Sequence, residues 1–281
     1  MASARLPKPA IGISRLRLDT LVLDQAVKAG AAIARGVTIR ELSADTVRTA
    51  DGATFEADSL FVATGKYDLR GVSRPRSEAL TLGLRAMLEP CAALTALVGD
   101  SIELHLFDGG YCGVMINEMG VGNLCMAVRK SRLTQAGGDP ATLIATLGQE
   151  NPALGERIAF ATSGEIDAIS AVPYGWIARD TPRGQFRLGD QAAVIPSLAG
   201  EGNGIALASG IAAAEAWLTA GPDAAPAYQA RFAKAAYRPV TTAMRLWHWG
   251  ERPIVGQIAT RIVALAPGIA AHFAGLTRIR A

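Results

Sequence analysis

The chain has 281 residues, of which 50% are hydrophobic and 19% are charged, and its mean hydropathy is +0.23. A chain of this size and apolarity can bury a sizeable core, so intrinsic disorder is excluded as its main state. Its 28 Lys and Arg residues against 25 Asp and Glu residues leave a net charge of +3, spread singly along the chain. This scattered charge argues against nucleic acid as a partner.

The cysteines and the N-terminal stretch indicate the cellular compartment. Cys91, Cys112 and Cys125 are odd in number and lack CxxC spacing. They predict a reducing cytoplasm, three small buried hydrophobes and no metal site, with pairing of Cys112 and Cys125 left open. Residues 1–12 contain no apolar stretch of the kind found in secretion signals, and no run of about 18 charge-free apolar residues is present to span a bilayer. Attachment to a membrane surface stays open.

The first predicted elements are a helix and a small antiparallel sheet. Apolar residues recur at helical spacing from Ser14, and Gly30 stands where this helix would end. Alternating runs over 37–42 and 46–49 predict strands, and Asp51-Gly52 supplies a hairpin turn. The apolar run SLFVATG then predicts a buried strand that ends in a sharp turn at Gly65.

The rest of the chain predicts a larger sheet followed by helices. Residues 80–130 alternate with period two, as in an antiparallel sheet, and helices are predicted over 140–149 and 152–159. The run 184–190 predicts another buried strand, and 202–220 a nearly charge-free core helix. A run of helices follows, and its predicted breaks are Pro239, Pro253 and Pro267. The fold class is therefore predicted to be α+β.

A cluster of glycines between the late strand and the core helix is the most informative segment. Gly200, Gly202 and Gly204 let a backbone approach a ligand and leave free N–H groups at a helix N-terminus, which suits an anion or a polarised carbonyl. Asp190 at the strand end can accept hydrogen bonds from sugar or ribityl hydroxyls. The alternative is a glycine-rich turn that packs a helix against a sheet, with Asp190 as a cap. The string GEGNGIA does not match the Rossmann pattern GxGxxG.

These segments resemble a known family of flavoproteins. The stretch 186–210 resembles the second FAD motif of the p-hydroxybenzoate hydroxylase-like fold, in which GD is followed by P and a G-x-G helix. Residues 12–31, 59–71 and 110–130 resemble, in the right order, the "R...LD..L...A...GA" segment, the "ATGk...rg" segment and the substrate-domain hairpin of the geranylgeranyl reductase family.

The resemblance implies a domain plan and a cofactor. It implies a partial FAD-binding α/β domain over 1–75 and 181–220, an antiparallel-sheet substrate domain over 76–180, and a helical tail over 221–281. The implied cofactor is FAD, with Asp190 on the ribityl chain and the helix start near the flavin pyrimidine edge. The cofactor-binding residues that it implies are Arg15, Thr64, Gly65, Gly189, Asp190, Pro196, Gly200, Gly202, Asn203 and Gly204.

One family element has no counterpart before Gly12. Family members begin with a βαβ unit carrying GxGxxG, which needs 30 or more residues. We therefore expect a truncated product or an unusual member, weak FAD binding by this chain alone, and apolar surface left exposed on the 59–65 strand and the helix from Gly202. A chain that is poorly soluble, or soluble only with a partner, is the expected consequence.

The resemblance and the missing βαβ unit leave three alternative functions. The first is an FAD-dependent oxidoreductase of the geranylgeranyl reductase type, moving a hydride between flavin and a carbon-carbon double bond of an apolar, isoprenoid-like substrate. The second is a flavin monooxygenase or halogenase, and the third is a flavoprotein remnant without activity. Residues expected in a substrate pocket of the middle sheet, or otherwise in its core, are Leu106, Tyr111, Val114, Ile116 and Tyr174.

The predicted partners are small molecules and, through the tail, a membrane. NAD(P)H is an expected electron donor, and no residue is assigned as acid or base. The tail from Thr242 carries Trp247, Trp249 and several arginines, so it predicts either peripheral membrane contact or a helical pack against the domain. His248 between the two tryptophans is interpreted as structural.

Overall fold

A computed structural model describes residues 2–6, 8–43, 45–75, 81–162, 166–170 and 172–279. The described elements, in chain order, are α1 (Arg15–Lys28), β1 (Ile39–Leu42), β2 (Thr46–Thr49), β3 (Thr54–Glu56), β4 (Leu60–Val62), β5 (Thr81–Leu88), α2 (Ala92–Val98), β6 (Glu103–Phe107), β7 (Gly110–Ile116), β8 (Gly122–Arg129), α3 (Lys130–Gln135), α4 (Pro140–Glu150), α5 (Pro152–Ile158), β9 (Asp167–Ser170), β10 (Gln185–Arg187), α6 (Gly202–Ala220), α7 (Ala225–Gly250), α8 (Pro253–Leu265) and α9 (Gly268–Leu276).

The chain divides into two compact units. Unit 1 comprises Met1–Ile33, Glu78–Val172 and His248–Gly268, and unit 2 comprises Ala34–Ser77, Pro173–Trp247 and Ile269–Ala281. The mixture of helices and antiparallel sheet confirms the predicted α+β class. The assignment of these stretches to a cofactor domain and a substrate domain stays a prediction.

Unit 1 is built on a five-stranded antiparallel sheet in the order β6-β7-β8-β5-β9. The alternation in β5 and β8 sends Leu88 and Leu124 into the core, where they meet Leu147 from α4. Helix α4 begins where it does because the Asp139 side chain accepts hydrogen bonds from the first turn and a proline follows. The buried face of the sheet is therefore covered by short helices, of which α4 is capped at its N-terminus by a side chain.

Unit 2 combines two small sheets with the long helices. Strands β1, β2 and β3 form the predicted antiparallel sheet, whereas β4 and β10 are parallel neighbours, with Gln185 opposite Leu60 and Arg187 opposite Val62. Phe186 of β10 is fully buried and packs against Ile205 of α6 and Tyr228 of α7. This core fixes the start of α6 beside the end of β10.

The structure corrects the predicted helix break at Pro239. Pro239 lies inside α7 and is buried. A proline costs an interior helix a hydrogen bond, but Ala236, Val240 and Ala243 of the same helix are also buried in the core, and that packing outweighs the local preference. Pro253, by contrast, opens α8 as a first-turn residue.

The structure also corrects the interpretation of the cysteines as three buried hydrophobes, and it adds one helix to the antiparallel sheet predicted over 80–130. Cys112 is buried, Cys125 is partly buried, and Cys91 is exposed. Cys91 precedes the unpredicted helix α2, and its Sγ accepts a hydrogen bond from the Leu94 N–H at 3.4 Å. Burial raises the pKa of the Cys112 thiol far above its ordinary value, so this side chain behaves as a hydrophobe.

Helix α6 is apolar on two faces. Ile205, Ser209, Ala213 and Ala216 are buried, while Leu207, Ile211 and Leu218 are 53%, 59% and 77% exposed on the opposite side. Phe61 of β4 is exposed as well. The expected exposure of apolar surface on these two elements is thus seen.

The expectation that no segment could span a bilayer was too strict. The helical stretch 202–250 is long and apolar enough to do so by length and composition, as is the bent pair 254–265 and 268–276 taken together. Glu215 is the only charge in α6, and a single charge does not lower its hydropathy enough to fail that test. Core helices of globular proteins share this composition, and α6 packs one face into the core of unit 2.

Candidate functional site

Three segments of unit 2 converge at the carboxyl ends of two parallel strands. The loop after β4 and the 3₁₀ turn Gly189–Gln191 after β10 leave the same edge of the pair, since β4 and β10 run in parallel. The N-terminal part of α6 packs against that turn. The two segments are so close that a Cβ added at Gly189 would lie 3.6 Å from the Ala206 Cβ. Most of the predicted cofactor-binding residues lie in these segments.

Gln191 ties the turn to the loop after β4. Its side chain is fully buried, and Nε2 donates to the carbonyl oxygens of Gly65 at 3.1 Å and Tyr67 at 2.9 Å. Within the described residues, Oε1 of the same side chain is buried without a hydrogen-bond partner. The contact places Gly65 beside the turn that carries Asp190.

Arg74 makes a second connection between the same segments. Its buried guanidinium donates to the Asp68 carboxylate at 2.7 Å, the Lys66 carbonyl at 2.7 Å and the Asp190 carbonyl at 2.9 Å. These charge-assisted hydrogen bonds fix the backbone at Asp190. Sequence reasoning missed both Gln191 and Arg74, because no local motif marks a side chain whose partners are distant carbonyl groups.

The turn itself is positioned by α6. Gly189 has φ +55°, a conformation that favours glycine, and its N–H donates to the Ser209 Oγ at 2.8 Å. Asp190 follows within the 3₁₀ turn and is partly buried. The strand end, the turn and the helix therefore form one hydrogen-bonded unit, as the predicted strand-turn-helix motif requires.

The first turn of α6 is open to a ligand. Gly202 and Asn203 are exposed, and a Cβ placed at Gly200 or Gly202 would meet no atom of the described residues within 4 Å. The first N–H groups of a helix have no acceptor inside it, and no side-chain cap is made by Glu201 here. Donors and free space are thus present at one place.

Glu201 precedes α6 without capping it and binds the C-terminal segment instead. Its buried carboxylate accepts from Arg278 Nη1 at 2.9 Å and from the Ile279 N–H at 3.1 Å. The same carboxylate crowds Gly204, where an added Cβ would lie 2.4 Å from Glu201 Oε1. Arg278 compensates the charge of Glu201, which keeps the helix N-terminus suited to an anionic or carbonyl ligand.

The remaining predicted residues have local roles in the structure. Thr64 Oγ1 donates to the Tyr67 carbonyl at 2.7 Å and closes the loop after β4. Pro196 precedes the short 3₁₀ turn Ser197–Ala199, which ends at Gly200 in the left-handed conformation. Arg15 lies in unit 1, is exposed, and pairs with Asp19 at 3.0 Å. A cofactor contact of Arg15 therefore stays a prediction.

The residues expected in a substrate pocket fall into both units. In unit 1, Val114 and Tyr111 are buried in the sheet, and Leu106 contacts Gly256 of α8. In unit 2, Tyr174 packs edge-on against Trp247 with ring centroids 5.1 Å apart, and its hydroxyl lies 3.3 Å from the Ser197 Oγ. Their part in binding a substrate stays a prediction, and so does that of Ile116.

Comparison with known proteins identifies the class of fold. No protein-family profile and no curated protein matches the sequence. The chain is similar in structure to Klebsiella pneumoniae HpxO complexed with FAD and uric acid, with a TM-score of 0.70, 17% identity, and coverage of 94% of this chain and 71% of that one.

Two further structures share the same architecture. The flavin-dependent brominase Bmp2 matches with a TM-score of 0.69 and 15% identity over 95% of this chain and 71% of its own. The probable FAD-dependent monooxygenase PqsL of Pseudomonas aeruginosa matches with a TM-score of 0.60 and 19% identity over 85% and 70%. The fold is thus that of the flavoprotein hydroxylases and halogenases.

Proposed function

We propose that this chain is an FAD-dependent oxidoreductase that binds flavin at the converging segments of unit 2. The observation that carries the proposal is the convergence of the loop after β4, the Gly189–Gln191 turn and the open first turn of α6. The fold supports it, since neighbours such as HpxO and the halogenase PltM were solved with FAD.

The residues present fit a flavin. Free N–H groups and open space at Gly202 suit a carbonyl edge that gains negative charge on reduction, and the dipole of the 19-residue helix α6 favours that charge. Asp190 would accept hydrogen bonds from ribityl hydroxyls, with its backbone held by Arg74. When bound, flavin supplies the hydride or electron transfer. The chain's own residues would position it.

A flavin titration tests the proposal. Fluorescence quenching of FAD by the full chain should be saturable, and Asp190→Ala should weaken binding at least tenfold, because hydrogen bonds to a carboxylate are lost. Asp223→Ala is the matched control, since Asp223 is exposed and pairs with Arg183 on the surface. Absence of saturable binding by the wild-type chain would favour the inactive remnant instead.

For the reaction, the sequence resemblance supports reduction of a carbon-carbon double bond in an apolar, isoprenoid-like substrate. The named neighbours support a second candidate, oxygen-dependent hydroxylation or halogenation of a small molecule. Anaerobic substrate reduction by the reduced enzyme would favour the first. Oxygen uptake coupled to substrate hydroxylation, with NAD(P)H as donor, would favour the second.

The proposal also covers where the protein acts in the cell and whether it contacts a membrane. A cytoplasmic enzyme with peripheral membrane contact suits an apolar substrate, and the exposed stripe of α8 supports that contact. Ile254, Ile258, Ile262 and Leu265 are 74%, 49%, 43% and 88% exposed at helical spacing, with Arg252 and Arg261 exposed beside them.

A further inference from the structure

A cavity in unit 2 is lined by residues other than those of the open turn of α6. Its volume is about 370 Å³, which falls in the range of small-molecule sites. Its walls are formed by Ser73 and Pro75, by residues 176–180, and by Arg187 at the end of β10. None of the glycines assigned to flavin lines it.

Arg187 brings a poorly compensated cation to this cavity. Its Nε is buried and has no hydrogen-bond partner among the described residues, and within the same residues no carboxylate lies within 4 Å of its guanidinium. Burial lowers the pKa of Arg187, and the positive charge of Arg74 adds to this effect, whereas the carboxylates of Asp180 and Asp68 act in the opposite direction. Arg187 as a whole is partly buried, and withdrawing a cation from water without a close counter-ion costs free energy that an added anion offsets.

The surroundings of Arg187 strengthen the positive potential. The guanidinium carbons of Arg74 and Arg187 each lie 5.9 Å from the centroid of the Trp176 ring, so two cations share one aromatic side chain. Arg74 donates to Asp68 and to two backbone carbonyls, whereas no described residue accepts a hydrogen bond from the buried Nε of Arg187. Arg179 lines the cavity as well, and Asp180 contributes the one carboxylate among its described lining residues.

We propose that this cavity binds a small molecule through an oxyanion, a phosphate or a carboxylate, that pairs with Arg187 beside Trp176. A guanidinium presents parallel N–H donors that match such oxygens, and the Ser73 hydroxyl is available at the rim. The inference does not depend on flavin binding, because the lining residues and the ligand chemistry differ from those of the α6 site.

Isothermal titration calorimetry tests the proposal. The full chain is titrated with pyrophosphate and, separately, with acetate, at constant ionic strength. We expect saturable binding of at least one probe, and at least tenfold weaker binding by Arg187→Gln. The preferred probe distinguishes a phosphate from a carboxylate ligand. Arg183→Gln is the control, because Arg183 is 64% exposed and already pairs with Asp223 at 2.6 Å.

A second readout covers the case in which Arg187→Gln does not fold. Anion binding next to Trp176 should change the tryptophan fluorescence of the wild-type chain, and Trp176→Phe should remove that change while the other tryptophans remain. Absence of saturable binding of both probes overturns the proposal. Equal affinities in Arg187→Gln and wild type, or a fluorescence change that persists in Trp176→Phe, also overturn it.

Discussion

Glu103 on β6 joins the sheet of unit 1 to α5 through a nearly buried ion pair. Arg157, 3% exposed, donates to Glu103 at 2.7 Å and 2.8 Å, and His105 Nε2 lies 3.0 Å from the same carboxylate. Burial alone would raise the pKa of Glu103, but the hydrogen bonds from Arg157 and His105 outweigh it and hold the pKa below its ordinary value of 4.5.

Glu103→Gln should lower the free energy of unfolding at pH 7 by about 3 kcal/mol, because it leaves Arg157 without its buried partner. Since the pKa of Glu103 is lowered on folding, its stabilisation is present above the unfolded-state pKa and is lost as the pH falls through the folded-state value. Urea unfolding at pH 7 and at about pH 3 should therefore show a smaller difference between variant and wild type at the lower pH.

Glu150→Gln serves as the control for that measurement. Glu150 pairs with Arg132 on the surface and is 42% exposed, so its loss should cost under about 1 kcal/mol. A pH-independent difference between Glu103→Gln and wild type would contradict the assigned role of the carboxylate.

For two glycines of the predicted site, the structure shows a backbone conformation that favours glycine. Gly189 has a positive φ, and Gly200 ends a turn in the left-handed conformation. Glycine adopts these conformations more easily than other residues, so a glycine in the sequence is a local signal for them. Gln191 and Arg74 hold the same site together through carbonyl groups 124 and 116 residues away. Such partners are set by tertiary packing, which local spacing does not record.

At the scale of elements, the boundaries of long helices were predicted accurately and those of short segments were not. The predicted helix between Ser14 and Gly30 is α1, with Ser14 as its N-cap, and the predicted 202–220 helix is α6. Helix α2 was missed because its seven residues are too few to separate helical from strand spacing. The helix break predicted at Pro239 is wrong, because burial of α7 outweighs the cost of a proline inside the helix.

The exposed stripe of α8 should bind membranes. The full chain should sediment with phosphatidylglycerol vesicles, less so at high salt, and a double variant Ile258→Glu/Ile262→Glu should lose most of that binding, since acidic residues would enter the lipid interface. Both residues are well exposed, so the fold should be retained.

The matched control for vesicle binding lies on α6. Ile211→Glu/Leu218→Glu introduces the same charges on another exposed apolar face, outside the tail. Equal loss in both double variants would show that net charge, and not the α8 stripe, governs the interaction.

At the scale of the whole molecule, the chain has a fold that it shares with flavoproteins, and it leaves apolar surface exposed. It covers 71% of the length of HpxO and of Bmp2 in those comparisons. In unit 2, β4 and β10 form a two-stranded parallel sheet, although parallel sheets are usually buried on both faces. Poor solubility, or dependence on a partner that covers β4 and α6, stays our expectation, and a monodisperse chain that melts cooperatively would contradict it.

The most direct test of the account is the dissociation constant of FAD measured for wild type, Gly202→Ala and Gly210→Ala. Both glycines lie in α6, and an added Cβ at either meets no described atom within 4 Å, so both variants should fold and Gly210→Ala should gain up to about 1 kcal/mol of stability. If flavin lies against the first turn of α6, Gly202→Ala should weaken FAD binding at least tenfold and Gly210→Ala should leave it unchanged. Equal FAD affinity in all three proteins would contradict a flavin site at the start of α6.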